Sequence, residues 1–229
     1  MDNRSQIGFD NIAAGTWQGE WVLSTRHGTI DMRRRTAIMG ILNVTPDSFS
    51  DGGEYLDPEM AIARGVELAG MGADIIDVGG ESTRPGALGV SMEEEIERVV
   101  PVVRGLRRAL SIPLSIDTSK AEVAKRVLDE GVDLVNDISA LRFDPGMVSL
   151  VAREKVPVVL MHMQGMPQTM QAKPHYQNVL QEVKDFLQDR MESVIGAGVD
   201  PEQIIIDPGI GFGKNLDHNL TILGGLPIL

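Results

Sequence analysis

The sequence predicts an α/β protein of the (β/α)8 barrel class, present as about six βα units behind an N-terminal hairpin. Three observations predict it. From Ala37 onward, short runs rich in Val and Ile alternate with stretches of helical period. Runs such as Ile204-Ile-Ile206 and Val158-Val-Leu160 are apolar throughout, as strands covered on both faces are. Nearly every run then ends in a carboxylate, an amide or an imidazole: Asn43, Asp77, Asp117, Asn136 with Asp137, His162 and Asp207. A parallel barrel gathers its C-terminal strand ends around one mouth, where such groups can meet a single ligand. An open doubly wound sheet accommodates six strands equally well but spreads the same groups along a line.

The elements follow in order. Residues 1–36 read as an N-terminal extension in which Trp21-Val-Leu-Ser24 and Thr29-Ile-Asp-Met32 form a hairpin about Arg26-His-Gly28, and residues 37–229 read as the barrel domain. Strands are expected over 38–43, 74–78, 113–117, 134–136, 157–162 and 203–207. The first helix opens at Asp57-Pro58, a cap followed by an N1 proline, with Ile62, Val66 and Ala69 on one face. Ser91-Met-Glu-Glu94 reads as a capping box ahead of Ile96, Val99, Val100, Val103 and Leu106. Val123, Val127 and Leu128 stripe the third helix, Asp144-Pro145 opens a short fourth, and Val179, Val183, Phe186 and Val194 mark a long fifth. A partial sixth is expected near 216–223, and Leu226-Pro-Ile-Leu229 reads as the start of a seventh strand. Gly72-Ala-Asp74, Gly131-Val-Asp133 and Gly198-Val-Asp200 recur about 60 residues apart, about two βα units, each where a helix hands over to a strand.

Composition narrows the function. The chain has 229 residues, 33 acidic against 21 basic, for a formal charge of −12 and no basic stripe. Nucleic acid and anionic membrane are poor partners for such a surface. With no cysteine, disulfides, thiolate metal sites and a Cys nucleophile are excluded. No stretch approaches the ~18 apolar residues of a membrane span, so a cytoplasmic location is expected.

The strand ends carry the candidate chemistry. Each Asp alone reads equally as a helix cap or turn former, Asp117 before Thr118-Ser119 above all, and Asp77 as bonding within its own turn. His162 reads as a hydrogen-bonded core residue, having no ligand partner at i+3 or i+4. Carboxylates and an amide around an apolar pocket suit a flat heterocycle with alternating donors and acceptors. Two loops, 43–53 and 79–86, are longer than a βα connection requires, and Arg84 in the second is placed to grip an anion. Asp207-Pro-Gly-Ile-Gly-Phe-Gly-Lys214 lacks the Walker A spacing, so its glycines serve close backbone approach, with Lys214 opening the next helix.

Met39-Gly-Ile-Leu-Asn-Val-Thr-Pro-Asp-Ser-Phe-Ser-Asp-Gly-Gly53 resembles the first signature of the dihydropteroate synthases, and Gly79-Gly-Glu-Ser-Thr-Arg-Pro-Gly86 the second. Ser115-Ile-Asp-Thr118, Val135-Asn-Asp-Ile138, Leu160-Met-His-Met-Gln-Gly165 and the 207–214 segment follow in the family's order. The resemblance implies a pterin-binding barrel that condenses 6-hydroxymethyl-7,8-dihydropterin diphosphate with p-aminobenzoate, giving 7,8-dihydropteroate and pyrophosphate. It implies that Asp117, Asn136 and Asp207 hold the pterin edge and that Met161 lines the pocket. Asn43 would bind Mg2+ with the diphosphate. Thr83, Arg84 and Phe212, with Thr45, Pro46, Asp47, Ser48 and Phe49 of the first loop, would meet p-aminobenzoate or diphosphate. Pterin-dependent methyltransferases share the Asp-Thr and Asn-Asp elements, and a non-catalytic pterin-binding fragment is the other alternative. The family's Ser-Arg-Lys-Ser and Arg-x-His segments do not occur, since Lys214 is the last Lys and no Arg follows Arg190. The chain thus reads as stopping before the seventh and eighth units, and the family's homodimer, which uses late helices, is put in question.

Overall fold

The structure is a computed structural model that describes residues 21–45, 57–82 and 89–229. Strands β1 (Val22–Thr25) and β2 (Gly28–Asp31) form the expected antiparallel hairpin. Six further strands follow: β3 (Met39–Asn43), β4 (Ile75–Gly79), β5 (Leu114–Asp117), β6 (Leu134–Asp137), β7 (Val158–Met161) and β8 (Ile204–Asp207). They form one parallel sheet in the order β3-β4-β5-β6-β7-β8. Between and after them run α1 (Pro58–Gly70), α2 (Met92–Ala109), α3 (Ala121–Asp129), α4 (Pro145–Glu154), α5 (Val179–Gly196) and α6 (Leu216–Gly224).

The strand order decides between the two candidate folds. A doubly wound sheet reverses its order at a switch point and carries helices on both faces. Here the order never reverses. One parity of strand residues, including Leu42, Ile76, Val78, Leu114, Ile116, Val135, Val158 and Leu160, packs against the helices in the main core. The other parity faces inward, where Ile75, Leu134 and Val159 meet Leu23 and Ile30 of the hairpin. The hairpin therefore floors the N-terminal end of an incomplete barrel, and the opposite end is left for chemistry.

Local chemistry explains the elements. Asp57 caps α1 through Glu59 N, and Asp144 caps α4 through Gly146 N. On α1 the buried face is Ala61 and Gly65, while Val66 is exposed. The reason is close helix packing: a β-carbon at Gly65 would stand 2.5 Å from Leu106, so the small residues of α1 face α2. Ser91 Oγ accepts from Glu94 N, but the Glu94 carboxylate pairs with Arg98 instead of closing the box. A full capping box occurs at Asn215 and His218, which open α6. The recurring Gly-x-Asp is structural in its first two copies. Asp74 accepts from Ile38 N at the entry to β3, and Asp133 from Leu114 N at the entry to β5. The third, Asp200, caps a short 3-10 turn, Pro201–Gln203.

The expected seventh strand is not formed. Leu226–Ile228 makes a 3-10 turn, in which Ile228 N donates to Gly225 O. Pro227 explains this: it offers no N–H to a ladder, and its fixed φ suits the first turn of a helix. Within the described residues β3 and β8 each pair on one side only. No helix of the described residues is long and apolar enough to cross a membrane.

Candidate active site at the strand ends

The inward parity places the predicted residues together. Asp117 and Asn136 are register partners on β5 and β6, and Met161 and Asp207 are register partners on β7 and β8. Asn43 lies across from Gly79, which in turn pairs with Asp117. A β-carbon at Gly79 would lie 3.6 Å from Asn43 Oδ1 and 3.7 Å from Asp117 Oδ2, so both side chains lie beside that glycine. Met161 and Phe212 join Ile138, Met163 and Met170 in one apolar cluster, a wall suited to a flat ring. Thr45 is buried at the end of β3. Thr83, Arg84, Pro46, Asp47, Ser48 and Phe49 lie outside the described residues.

Asp77 and Asp117 depart from their bland readings. Asp77 is 2% exposed and bonds across the sheet, accepting from Asn136 Nδ2 at 2.9 Å, not within its own turn. Asp117 does not cap α3. That helix begins at Lys120 without a side-chain cap, and Asp144 of the next unit accepts from Ala121 N at 2.8 Å. Asp117 is therefore free for a ligand. Burial, then the negative charge of Asp77, Asp137, Glu95 and Glu81, pushes its carboxyl well above the usual carboxylate range.

The site is mainly an acceptor surface. Asn136 gives one Nδ2 hydrogen to Asp77, and its Oδ1 has no partner among the described residues yet is not sealed off. The Asp117 oxygens and Asp207 Oδ2 likewise remain accessible, Asp207 Oδ1 accepting from Gly209 N at 2.7 Å. The alternating donor and acceptor set expected from sequence needs a donor here, and the second Nδ2 hydrogen of Asn136 can supply it. What remains matches a ligand edge rich in N–H groups.

Lys214 also differs from expectation. It is 3% exposed, and its Nζ reaches His162 Nδ1 at 2.9 Å, Gly209 O at 2.8 Å and Phe212 O at 3.0 Å. The ammonium thus ties the loop carrying Asp207 and Phe212 to the end of β7. Burial lowers Lys214 to about 8, while burial and the adjacent Lys214 charge lower His162 to about 3. The glycines here do allow close approach: at Gly209, with φ +67°, a β-carbon would fall 2.0 Å from His162 O.

Sequence reasoning missed the Glu81–Lys120–Glu95 triad. Lys120 Nζ bridges both carboxylates beside a cavity of about 160 Å3 that Asp117, Ile138 and Phe143 also line. Burial opposes the Lys120 charge, but the bonds to Glu81 and Glu95 outweigh it and hold its pKa above the usual value. Glu81 starts the second loop, so the triad anchors that loop's stem to α2. A signal existed: Glu95 falls on the apolar stripe of Val99, Val102 and Leu106, where a charge needs a partner. A larger groove, about 580 Å3, lies under the hairpin between His27, Arg35, Asp74 and Pro113. It sits at the N-terminal end of the sheet, away from the strand-end groups.

The comparisons agree with this geometry. A family model described as pterin binding enzyme matches residues 39–229. A dihydropteroate synthase of Synechocystis is 49% identical over 199 residues, covering 87% of this chain and 69% of the relative. The solved Xanthomonas albilineans dihydropteroate synthase with 4-aminobenzoic acid superposes with a TM-score of 0.81 at 47% identity, over 88% of this chain and 71% of that one. The same organism's enzyme in complex with 7,8-dihydropteroate gives 0.77 at 44% identity, over 87% and 70%. With a matched model over most of its length and relatives this similar, the chain belongs to the pterin-binding enzyme family and, within it, to the dihydropteroate synthases.

Proposed function

We propose that this chain performs the dihydropteroate synthase reaction at the ends of β5, β6 and β8. The bond between the pterin methylene carbon and the diphosphate oxygen breaks, and pyrophosphate leaves with the electron pair. The amine nitrogen of p-aminobenzoate bonds to that carbon and passes one proton to water. The observation that carries the reading is the cluster of Asp117, Asn136 and Asp207, mostly acceptors, beside the apolar wall of Met161 and Phe212. A dihydropterin presents its amino and ring N–H groups along one edge, with the N1 lone pair among them, and a flat apolar face, and so complements two carboxylates, an amide and an apolar wall.

Each residue then has a physical task. Asp207, with two oxygens, takes paired N–H donors side by side. Asp117, whose carboxyl burial and neighbouring negative charge push up, would be favoured in its negative form by positive charge developing on the ring as the diphosphate departs. Phe212 and Met161 hold the ring plane. The aniline nitrogen is weakly basic, so the site supplies position in place of a general base. Thr83, Arg84 and residues 45–49 would receive p-aminobenzoate or the diphosphate.

Mg2+ fits this donor set as a companion of the substrate. No group of three His, Cys, Asp or Glu among the described residues could hold a metal, whereas Mg2+ keeps waters and substrate phosphates around few protein oxygens. Asn43 Oδ1, exposed at the end of β3 and close to Asp117, is such an oxygen. Bound there, Mg2+ would neutralise charge on the leaving diphosphate.

The test is to incubate the purified chain with the pterin diphosphate, Mg2+ and p-aminobenzoate, and to follow pyrophosphate and 7,8-dihydropteroate. Both are expected to form only when the amine and Mg2+ are present. Pterin binding without product, or methyl transfer from methyltetrahydrofolate, would replace this reading with one of its alternatives.

A further inference from the structure

We infer that Lys214 is a positioning residue for the pterin ring: by holding the carbonyls of Gly209 and Phe212, it sets the Asp207 carboxylate and the Phe212 ring relative to one another. The inference rests on the dihydropterin reading of the site above. It begins from the turn that carries the two ligand groups. Asp207 ends β8 and Phe212 belongs to the apolar wall, five residues apart on one glycine-rich segment. Gly209, Gly211 and Gly213 have positive φ, at +67°, +87° and +65°, and offer no side chain with which to fix the shape of the turn. A group outside those glycines has to fix it.

Lys214 does so from a buried place. Its Nζ donates to Gly209 O at 2.8 Å and to Phe212 O at 3.0 Å, and it meets His162 Nδ1 at 2.9 Å. These are three acceptors for the three hydrogens of an ammonium. The two carbonyls lead to the two ligand groups. Gly209 gives its N–H to Asp207 Oδ1 at 2.7 Å, so holding Gly209 also aims the carboxylate. Phe212 is held at its own carbonyl, and its N–H donates to Gly209 O at 3.1 Å. His162 anchors the arrangement to the barrel. Its N–H donates to Asp207 O at 2.9 Å, and its ring stands edge-on to Phe186 of α5 at 4.9 Å.

Lys214 is 3% exposed, so its effect on a ligand passes through Gly209 and Phe212. All of its acceptors are neutral, and they recover less of an ammonium's desolvation than a carboxylate would. A buried cation so held, on the one turn that carries two ligand groups, is the kind of local cost that functional sites carry. Stacking on Phe212 is the same before and during bond cleavage, so misplacing that wall weakens binding more than turnover.

The experiment compares Lys214→Met with Tyr176→Phe. The first keeps the length and bulk of the side chain but not its hydrogens. The second removes a bond of 2.9 Å from Tyr176 OH to Gly213 O, a tie on the same turn that reaches neither Gly209 nor Phe212. Steady-state kinetics with the pterin diphosphate, calorimetric titration with 6-hydroxymethyl-7,8-dihydropterin and urea midpoints are measured for both. Lys214→Met is expected to raise the KM and weaken the affinity by about tenfold, with kcat within about threefold of the parent's. Tyr176→Phe should lower the urea midpoint as well but change the affinity by less than about twofold. Lys214→Met binding the pterin as the parent does would overturn the inference. So would a Tyr176→Phe that weakens binding as much as Lys214→Met, since stability of the turn and not placement would then be the cause. Should Lys214→Met not fold, the ammonium 15N resonance of Lys214 in the parent chain decides. It is expected to be protected from exchange and to shift when the dihydropterin binds, and a resonance indifferent to the ligand would overturn the inference. Failure of the parent chain to bind the pterin would instead count against the functional reading.

Discussion

Asp207→Asn is expected to lower kcat/KM for the pterin diphosphate by about 10^3-fold while leaving the fold in place. Asparagine keeps an oxygen for Gly209 N, which Asp207 Oδ1 now accepts at 2.7 Å, so the turn after β8 survives. What changes is the remaining atom. The second carboxylate oxygen becomes an NH2, and its hydrogens point at ring N–H donors that also need an acceptor. A charge-assisted bond is lost and a buried donor is left opposed to another donor, which together cost several times an ordinary hydrogen bond. The loss should fall on both pterin affinity and turnover, with the KM for p-aminobenzoate little changed. Steady-state kinetics in both substrates, with circular dichroism to check folding, separates these outcomes. A variant with unaltered pterin kinetics would remove Asp207 from the site.

The second large effect is on stability against pH. His162 is held to about 3 by burial and by Lys214, whereas an unfolded histidine titrates at 6.5. Between those values the unfolded chain binds a proton that the folded chain does not, so this group's contribution is intact above pH 6.5 and is lost as pH falls toward 3. The full loss is on the order of 4 kcal/mol at the acid end. Lys214 has the same sign at the other end. Lowered from 10.5 to about 8, it favours the unfolded state below pH 8 and ceases to do so as pH rises to 10.5. His162→Asn offers Lys214 Nζ an oxygen in place of Nδ1 and cannot titrate. On going from pH 6.5 to 3 its urea midpoint should therefore lose less, or gain more, than the parent's, while Asp77, Asp117 and Asp137, whose carboxyls burial pushes up, act in the opposite direction equally in both proteins. Parallel pH profiles for the two would show that His162 is not held neutral by the fold.

Much of this was legible in residue order because barrel strands announce themselves. Runs such as Val158-Val-Leu160 are buried on both faces, and the polar residues Asp117, Asn136 and Asp207 stand where the runs emerge. The helix caps at Asp57 and Asp144 were local and therefore readable. Contacts between units were not. The Asn136–Asp77 bond joins residues 59 apart, and Lys214 meets His162 across 52, distances that depend on how the helices return the chain to the sheet. For the same reason Lys214 looked like the opening residue of α6 when Asn215 holds that place. The carboxylate bridged by Lys120 was hidden in a run of three glutamates, only one of which, Glu95, faces inward. At the C-terminal end an apolar tetrapeptide suggested a strand, and one proline decided otherwise.

The most direct test of whether Asp117, Asn136 and Asp207 form one pterin site is a crystal structure of the chain with 7,8-dihydropteroate. The expected result is the ring between Met161 and Phe212, its N–H groups within hydrogen-bond distance of Asp207 and Asn136 Oδ1, and Asn136 Nδ2 still on Asp77. A pterin bound elsewhere, such as in the groove of about 580 Å3 under the hairpin, with the three strand-end acceptors left bare, would contradict it.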